Sequence, residues 1–260
     1  MKTTQNKKKK LKIAVPKGRI LKDGLELLRK SGYIKHPDSD YNSRRLTFEY
    51  EDDEVGLLIV KPWDVPTFVE YGAADAGIAG KDVLLEKPKN VYEPLDLKIG
   101  ECKVVVAVSG DLIAGKGNLH SRNSNDISLH TGEKPFSDIK ITDRIKKNIY
   151  FYKTNIRVAT KYVHITKGFF NKKGVSNIQI IKLYGNVELA PISGLCDFIV
   201  DLVSTGETLR QNNLVPVEDI AHVTSRFIVN RASLKINPSN IASMIGSLKE
   251  QVEKNADTDI

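Results

Sequence analysis

Apolar residues come in two rhythms along the chain, and the rhythms take turns. Short apolar runs bounded by polar or glycine positions read as buried strands at Lys12–Val15 (KIAV), Val55–Val60 (VGLLIV), Asp75–Gly80 (DAGIAG) and Lys103–Val108 (KVVVAV), and again at Arg157–Ala159, Ile178–Leu183 and Val223–Val229. Arg45–Tyr50 alternates, as a strand with one wet face does. Between these runs the spacing is helical. Ile20, Leu21, Leu25, Leu27 and Leu28 supply one apolar stripe, and Gly32 follows as a C-terminal stop. Asp64 suits the N-cap of a helix with Pro66 in its first turn. Further helices are predicted near Lys81–Glu86, from Thr160-Lys161-Tyr162 to Lys173 before Gly174, and over Val187–Leu195, where Pro191 bends or shortens the element. The last helix takes Asn237 as N-cap and Pro238 at its first position, with Ile241, Met244, Ile245, Leu248 and Val252 on one face. Strands alternating with helices predict an α/β architecture with largely parallel sheets.

The rhythm fails in two places. Met1–Lys10 is polar and lysine-rich, and reads as a disordered basic tail with no apolar stretch of a secretory signal behind it. From about 109 to 155 the chain is rich in Ser, Asn, Gly and His with weak periodicity, which predicts a long loop or insertion. Within it, HTGEKPF (130–136) looks like the linker between tandem zinc fingers, but the paired cysteines and histidines of such fingers are missing. The match is read as chance. His120 and His130 read as surface loop histidines, and no metal-ligating set is predicted.

Composition narrows the class. With 260 residues, 40% of them apolar, the chain is long enough for one large domain or two smaller ones. No apolar run reaches the length of a membrane helix. Two distant cysteines, Cys102 and Cys196, are too few for a disulfide scaffold and fit a reduced cytoplasm. The net charge is +8, and five of the positive charges sit in the tail. The body's modest excess fits an anionic small substrate without demanding one. Neither nucleic acid nor membrane is expected as a partner.

The richest stretch is CDFIVDLVSTGETLRQNNL, residues 196–214. A buried strand ends there in Ser204, Thr205 and Gly206, and Thr208 opens a new helix. In open α/β sheets, ligands sit beyond the carboxyl ends of strands. Glycine lets a backbone approach closely, hydroxyls donate, and a helix start offers unpaired N–H groups and a positive dipole end. This is phosphate chemistry. Asp201 does not suit a phosphate, but its carboxylate accepts hydrogen bonds from sugar hydroxyls. An acid beside a cradle points to a sugar phosphate of the size of ribose 5-phosphate. Taken alone, the pattern also fits a capped helix after a strand, with Asp201 a satisfied edge carboxylate.

VPKGR is the second constellation, with Lys17 and Arg19 flanking Gly18 at a strand end. Two cations on a turn suit a pyrophosphate or triphosphate, and a solvated turn is the plainer alternative. Arg45 is a third basic candidate. Lys61, Asp64, Lys81 and Asp82 end two more strands, and Thr160 and Lys161 sit at another helix start, where they are candidates for binding substrate. There is no Gly-x-x-x-x-Gly-Lys-Ser/Thr loop, no His-Glu-x-x-His and no Gly-x-Ser-x-Gly.

Taken together, VPKGR, VKPWDVPTFVEYGAADAGIAGKDVL, RVATKY and YGNVELAPISGLCDFIVDLVSTGETLRQNNL resemble the ATP phosphoribosyltransferases of histidine biosynthesis, over most of residues 11–108 and 156–231. The resemblance implies a two-lobed fold like the type II periplasmic binding proteins, with a ligand cleft between lobes. By analogy, 11–102 plus 213–260 would form one lobe and 103–212 the other. It implies transfer of phosphoribosyl from phosphoribosyl pyrophosphate to N1 of ATP, releasing pyrophosphate, with magnesium carried mainly by the substrates. Asp201–Thr208, Glu207 included, matches the phosphoribosyl-binding loop. Glu188 would orient ribose or a metal-bound water, or merely cap structure.

The chain's length resembles the short form of the family, which works with a regulatory subunit similar to histidyl-tRNA synthetase, so a hetero-oligomer and a homo-oligomer are both implied. Two features depart from the family pattern, the 109–155 insertion and the tail. Val163 also stands where a proline is common. The rival readings are a two-lobed module that binds a nucleotide or sugar phosphate without chemistry, a phosphoribosyltransferase acting on another base, and a nucleic-acid binder relying on the tail.

Overall fold

The computed structural model describes residues 10–37, 41, 45–113, 118–119, 127–128 and 156–258. It divides into two compact units, one formed by the chain up to Glu101 with everything from Thr224 onward, the other by Cys102–Val223.

The first unit begins β1 (Leu11–Pro16), α1 (Arg19–Lys30), β2 (Thr47–Phe48), β3 (Val55–Val60), α2 (Val65–Glu70), β4 (Ala76–Gly80), α3 (Lys81–Glu86) and β5 (Val91–Asp96). The second holds β6 (Cys102–Ser109), α4 (Gly110–Ile113), the short pair β7 (Asn118–Leu119) and β8 (Ile127–Ser128), then β9 (Ile156–Thr160), α5 (Val163–Lys172), β10 (Ile178–Lys182), α6 (Leu189–Ile192), β11 (Phe198–Val203), α7 (Glu207–Gln211) and β12 (Leu214–Val223). β13 (Ser225–Asn230), α8 (Arg231–Ile236) and α9 (Pro238–Thr258) complete the first unit.

The first sheet runs β2-β3-β1-β4-β13-β5, and the second β10-β9-β11-β6-β12. Both are mixed, which corrects the expectation of largely parallel sheets. β3, β1 and β4 are mutually parallel, as are β10, β9 and β11. The strands that flank the two points where the chain passes from one unit to the other all pair antiparallel within their own sheets, β6 with β11 and β12, and β13 with β4 and β5. Apolar periodicity carries burial and says nothing of strand direction, so the sequence could not show this.

Where the pattern is strong the elements form as their residues dictate. Leu25, Leu27 and Leu28 are buried beneath α1 against the β1 side of the sheet, with Ile20 and Leu21 packed alongside. Each such leucine stabilises the unit by roughly 2 kcal/mol. The chain turns at Gly32, whose φ of 82° favours glycine. The face of α9 predicted from Ile241, Met244, Leu248 and Val252 is buried in the same core. The second core gathers Val104, Val106, Val108, Val158, Phe170, Phe198 and Val200.

Several expectations differ from what forms. Arg45–Tyr50 gives only the two-residue strand β2. Asp64 stands at its helix start without a side-chain capping bond, whereas Asn230 caps α8 by accepting the N–H groups of Ala232 and Ser233. Val223–Val229 is two strands meeting at Thr224. Residues 213–223, expected with the first lobe, lie in the second unit, because β12 pairs along the whole of β6. HTGEKPF, His120, His130 and most of the tail lie outside the described residues.

Candidate functional site

The parallel trio of the second unit gathers the predicted phosphate chemistry at one sheet edge. β9, β11 and β10 end in Thr160, Val203 and Lys182, and their next residues therefore emerge on the same side. From β11 come Asp201 and the Ser204–Thr208 loop, from β9 comes Lys161, and from the segment after β10 comes Glu188.

The loop has the features a cradle needs. Gly206 takes φ 78°, a left-handed conformation that a side chain resists, and the helix α7 starts at the next residue. Ser204, Thr205 and Thr208 are exposed, and Thr205 Oγ1 accepts the N–H of Glu207 at 3.4 Å. The Glu207 carboxylate is turned onto its own helix. Arg210 Nη2 donates to it at 2.7 Å and Gln211 Nε2 at 2.6 Å, and these bonds hold its carboxyl below the usual range. What Glu207 offers a ligand is therefore backbone.

Asp201 is half-buried. Its Oδ1 accepts the N–H of Leu202 at 2.8 Å and lies 3.2 Å from Lys161 Nζ, while Oδ2 has no hydrogen bond among the described residues. The Lys161 ammonium also sits 5.0 Å from the centre of the Tyr162 ring. Glu188 is partly buried at the start of α6 and makes no side-chain capping bond there.

Thr160, expected from the sequence to meet substrate, is fully buried in this structure. Its hydroxyl donates to the Val200 carbonyl at 2.6 Å and accepts the Tyr162 N–H at 2.8 Å. Both roles of that hydroxyl are taken within the protein, so its side chain braces the loop. Tyr162 belongs to the same sequence motif, where nothing assigns it a role. It is buried, anchors α5 by accepting the Thr166 hydroxyl at 2.6 Å, and carries the lysine above its ring. Only its adjacency to Lys161 could have signalled this.

The first unit presents a second set at the carboxyl edge of its own parallel strands. Lys17, Gly18 and Arg19 follow β1, where the Lys17 N–H donates to the Val60 carbonyl at 2.7 Å. Gly18 has φ 100° and open space where a side chain would be. Lys17 and Arg19 are exposed, and Arg19 Nη2 donates to the Gly100 carbonyl at 3.3 Å. Arg45 precedes β2, which runs antiparallel to β3, so it reaches the same edge. Its guanidinium lies 5.4 Å from the Phe48 ring centre. Lys81, another basic strand-end residue, is committed to Glu93 at 2.8 Å.

Among the described residues, one group of three side chains is close enough to share a metal ion, His36, Asp52 and Asp53. It belongs to the first unit, beside a turn whose carbonyls of Tyr50, Glu51 and Asp53 accept the Lys10 ammonium. At the loop, Asp201 is paired with Lys161 and Glu207 with Arg210. Those donors suit a magnesium ion that brings most of its oxygen ligands with the substrate, and not an all-protein cage.

Two mixed sheets in two units, each with basic or hydroxyl residues at the carboxyl ends of its parallel strands, define a two-lobed α/β protein of the binding-protein type. The periplasmic aliphatic sulphonate binding protein SsuA from Escherichia coli shares this fold, with a TM-score of 0.55 at 14% identity over 97% of this chain and 75% of that one. The family profile described as "HisG: ATP phosphoribosyltransferase" matches residues 61–250. The ATP phosphoribosyltransferase of Geobacter metallireducens is 46% identical over 242 residues, 93% of this chain and 98% of that protein. The ATP phosphoribosyl transferase (HisG:HisZ) complex from Thermotoga maritima contains a chain that aligns with a TM-score of 0.67 and 30% identity, over 94% of this chain and 98% of its own length. The chain belongs to the ATP phosphoribosyltransferase family, the transferases of the first step of histidine biosynthesis.

Proposed function

We propose that the chain joins ATP and phosphoribosyl pyrophosphate to give N1-(5-phosphoribosyl)-ATP and pyrophosphate, with the 5-phosphate in the Ser204–Thr208 loop and the ribose hydroxyls on Asp201. The observation that carries this is the left-handed Gly206 between exposed hydroxyls and a helix start, with the open oxygen of Asp201 just before it on the same strand.

In this reading, adenine N1 attacks ribose C1 as pyrophosphate leaves, through a transition state with oxocarbenium character. N1 carries no proton, so no strong base is needed. The chain's task is to position two anions and to stabilise the charge that departs. Backbone N–H groups of the loop and the hydroxyls of Ser204, Thr205 and Thr208 hold the 5-phosphate. Lys17 and Arg19 contact pyrophosphate or triphosphate, with Gly18 opening the turn between them and Arg45 as a further cation. Glu188 orients the ribose or a metal-bound water. A magnesium ion held mainly by substrate oxygens would supply charge neutralisation for the departing pyrophosphate.

The chain works in the cytoplasm, as a homo-oligomer that also joins a regulatory subunit similar to histidyl-tRNA synthetase. The HisG:HisZ complex formed by the Thermotoga protein supports such a partner. Among the described residues no helix is long and apolar enough to cross a membrane.

The test is pyrophosphate release from ATP and phosphoribosyl pyrophosphate with magnesium, by the purified chain alone and with the regulatory subunit. Release that requires both substrates is expected. Silence in both preparations would overturn the reading in favour of a binding module.

A further inference from the structure

Lys161 stands at the start of a helix beside a phosphate loop, where a lysine is read as an anion ligand. Its ammonium is directed elsewhere, 3.2 Å from Asp201 Oδ1 and above the Tyr162 ring. We propose that Lys161 is a positioning residue that works through Asp201: it fixes one carboxylate oxygen and offsets the charge, so that the other oxygen is presented to the ribose hydroxyls beside a substrate rich in phosphate. The inference rests on the phosphoribosyl reading above.

Three observations support it. The first is a division of labour within one carboxylate. Oδ1 takes both the Lys161 ammonium and the Leu202 N–H, and Oδ2 takes no partner among the described residues. An acid held at one oxygen has a fixed direction for the other.

The second is that the lysine's base is rigid. Thr160 and Val200 are register partners of β9 and β11, and the Thr160 hydroxyl ties the Val200 carbonyl to the Tyr162 N–H. The Leu183 N–H donates to the Thr160 carbonyl at 3.0 Å. Lys161 and Asp201 are thus each one residue beyond a buried clamp, on neighbouring strands. The third is burial. The two side chains keep 28% and 20% exposure, so salt screens the pair less than one on open surface.

The chemistry also asks for such a pair. A carboxylate near a 5-phosphate repels it through a medium less polar than water. A lysine ion-paired with that carboxylate cancels the repulsion without competing for the phosphate. If Lys161 were instead a direct phosphate ligand, its contribution would not depend on Asp201.

A double-mutant cycle separates the two. Lys161→Met, Asp201→Asn and the double variant are compared with the unaltered enzyme in the presence of the regulatory subunit, by pyrophosphate release. Lys161→Met is expected to raise KM for phosphoribosyl pyrophosphate by roughly ten- to a hundredfold, with kcat and the KM for ATP changed less. Lys161→Arg should recover most of the loss. In the Asp201→Asn background, Lys161→Met should add less than about threefold. Losses that multiply in the double variant, or a Lys161→Met enzyme with unchanged KM, would overturn the proposal. Thermal unfolding of each variant shows that it is folded. If the unaltered protein released no pyrophosphate, the reaction reading would fail by itself. The same cycle would then be read by calorimetric binding of ribose 5-phosphate, with the same criterion of non-additivity.

Discussion

Thr160 Oγ1 donates to the carbonyl of Val200 across 2.6 Å and accepts the Tyr162 N–H across 2.8 Å, so one buried hydroxyl joins two neighbouring strands just before both enter the site. Thr160→Val keeps the shape and removes both bonds. It leaves a buried N–H unsatisfied, at a cost of about 1–3 kcal/mol. Denaturant unfolding should show that loss, and KM for phosphoribosyl pyrophosphate should rise with it. Thr160→Ser keeps the hydroxyl and should restore the affinity. A Thr160→Val enzyme of unaltered stability would show that the hydroxyl braces nothing.

Gly206 separates folding from binding. Its φ of 78° strains an alanine by roughly 1 kcal/mol, although the nearest atom to an added Cβ, Val203 Cγ1, is 3.9 Å away. Asparagine tolerates that conformation better. Gly206→Asn should therefore unfold close to the unaltered protein while still placing a side chain in the cradle. The expected result is a KM for phosphoribosyl pyrophosphate raised at least about tenfold, for a stability change near zero. Equal KM values would remove the phosphate from this loop.

How far the sequence carries depends on what each residue has to reveal. Central strands are legible because burial on both faces leaves a continuous apolar string, as in Val55–Val60 and in the Phe198, Ile199 and Val200 run of β11. β12 is not, because Pro216, Glu218 and Asp219 interrupt it and two register shifts break its period of two. β5 is hidden by Pro94 and by its place at the sheet edge. The Ser204–Gly206 turn is legible as an element boundary, because hydroxyls and a glycine after an apolar run end a strand and open a helix, as β11 and α7 do; what it binds is not, because a plain capped helix has the same pattern. The pairing of Lys161 with Asp201 is not, because it depends on β9 and β11 being neighbours, and 40 residues of chain separate the two side chains.

Cys196 should behave as an inert thiol in the folded protein. Burial pushes its pKa up to about 11, with the Ala159 backbone acting against the shift and the nearby Asp197 adding to it. In the unfolded chain a thiol ionises near its ordinary value of 9.0. Between those values the unfolded state binds fewer protons, so stability falls as pH rises from about 9 towards 11 and is fully present below that window. Alkylation by iodoacetamide near neutral pH should be slow in the folded protein and fast in denaturant. A Cys196→Ala variant should lose this alkaline component. Rapid labelling of Cys196 under native conditions would contradict its burial.

A largely buried ion pair of the second unit anchors the segment that delivers β11. Arg157 meets Asp197 through Nη2 and Oδ1 at 3.0 Å, and its other terminal nitrogen donates to the Gly194 carbonyl at 3.0 Å. The backbones close the same ring, with Arg157 N–H on Asp197 Oδ2 at 2.9 Å and Asp197 N–H on the Arg157 carbonyl at 2.9 Å. The Asp197 side chain is 3% exposed and that of Arg157 is 23%, so losing the acid strands a cation that is mostly out of water. Asp197→Ala should destabilise the protein by about 3 kcal/mol. Asp197→Asn retains an acceptor for the Arg157 N–H and should cost less. Neither residue touches the proposed substrate, and β11 is also held by β6 along most of its length, from Ile199 opposite Ala107 to Val203 opposite Lys103. Below its lowered melting temperature the Asp197→Asn enzyme should therefore keep a KM for phosphoribosyl pyrophosphate within about twofold of the unaltered value. A large KM change in a stable Asp197→Asn enzyme would mean that this pair, and not the Thr160 clamp, sets the direction in which Asp201 leaves the sheet.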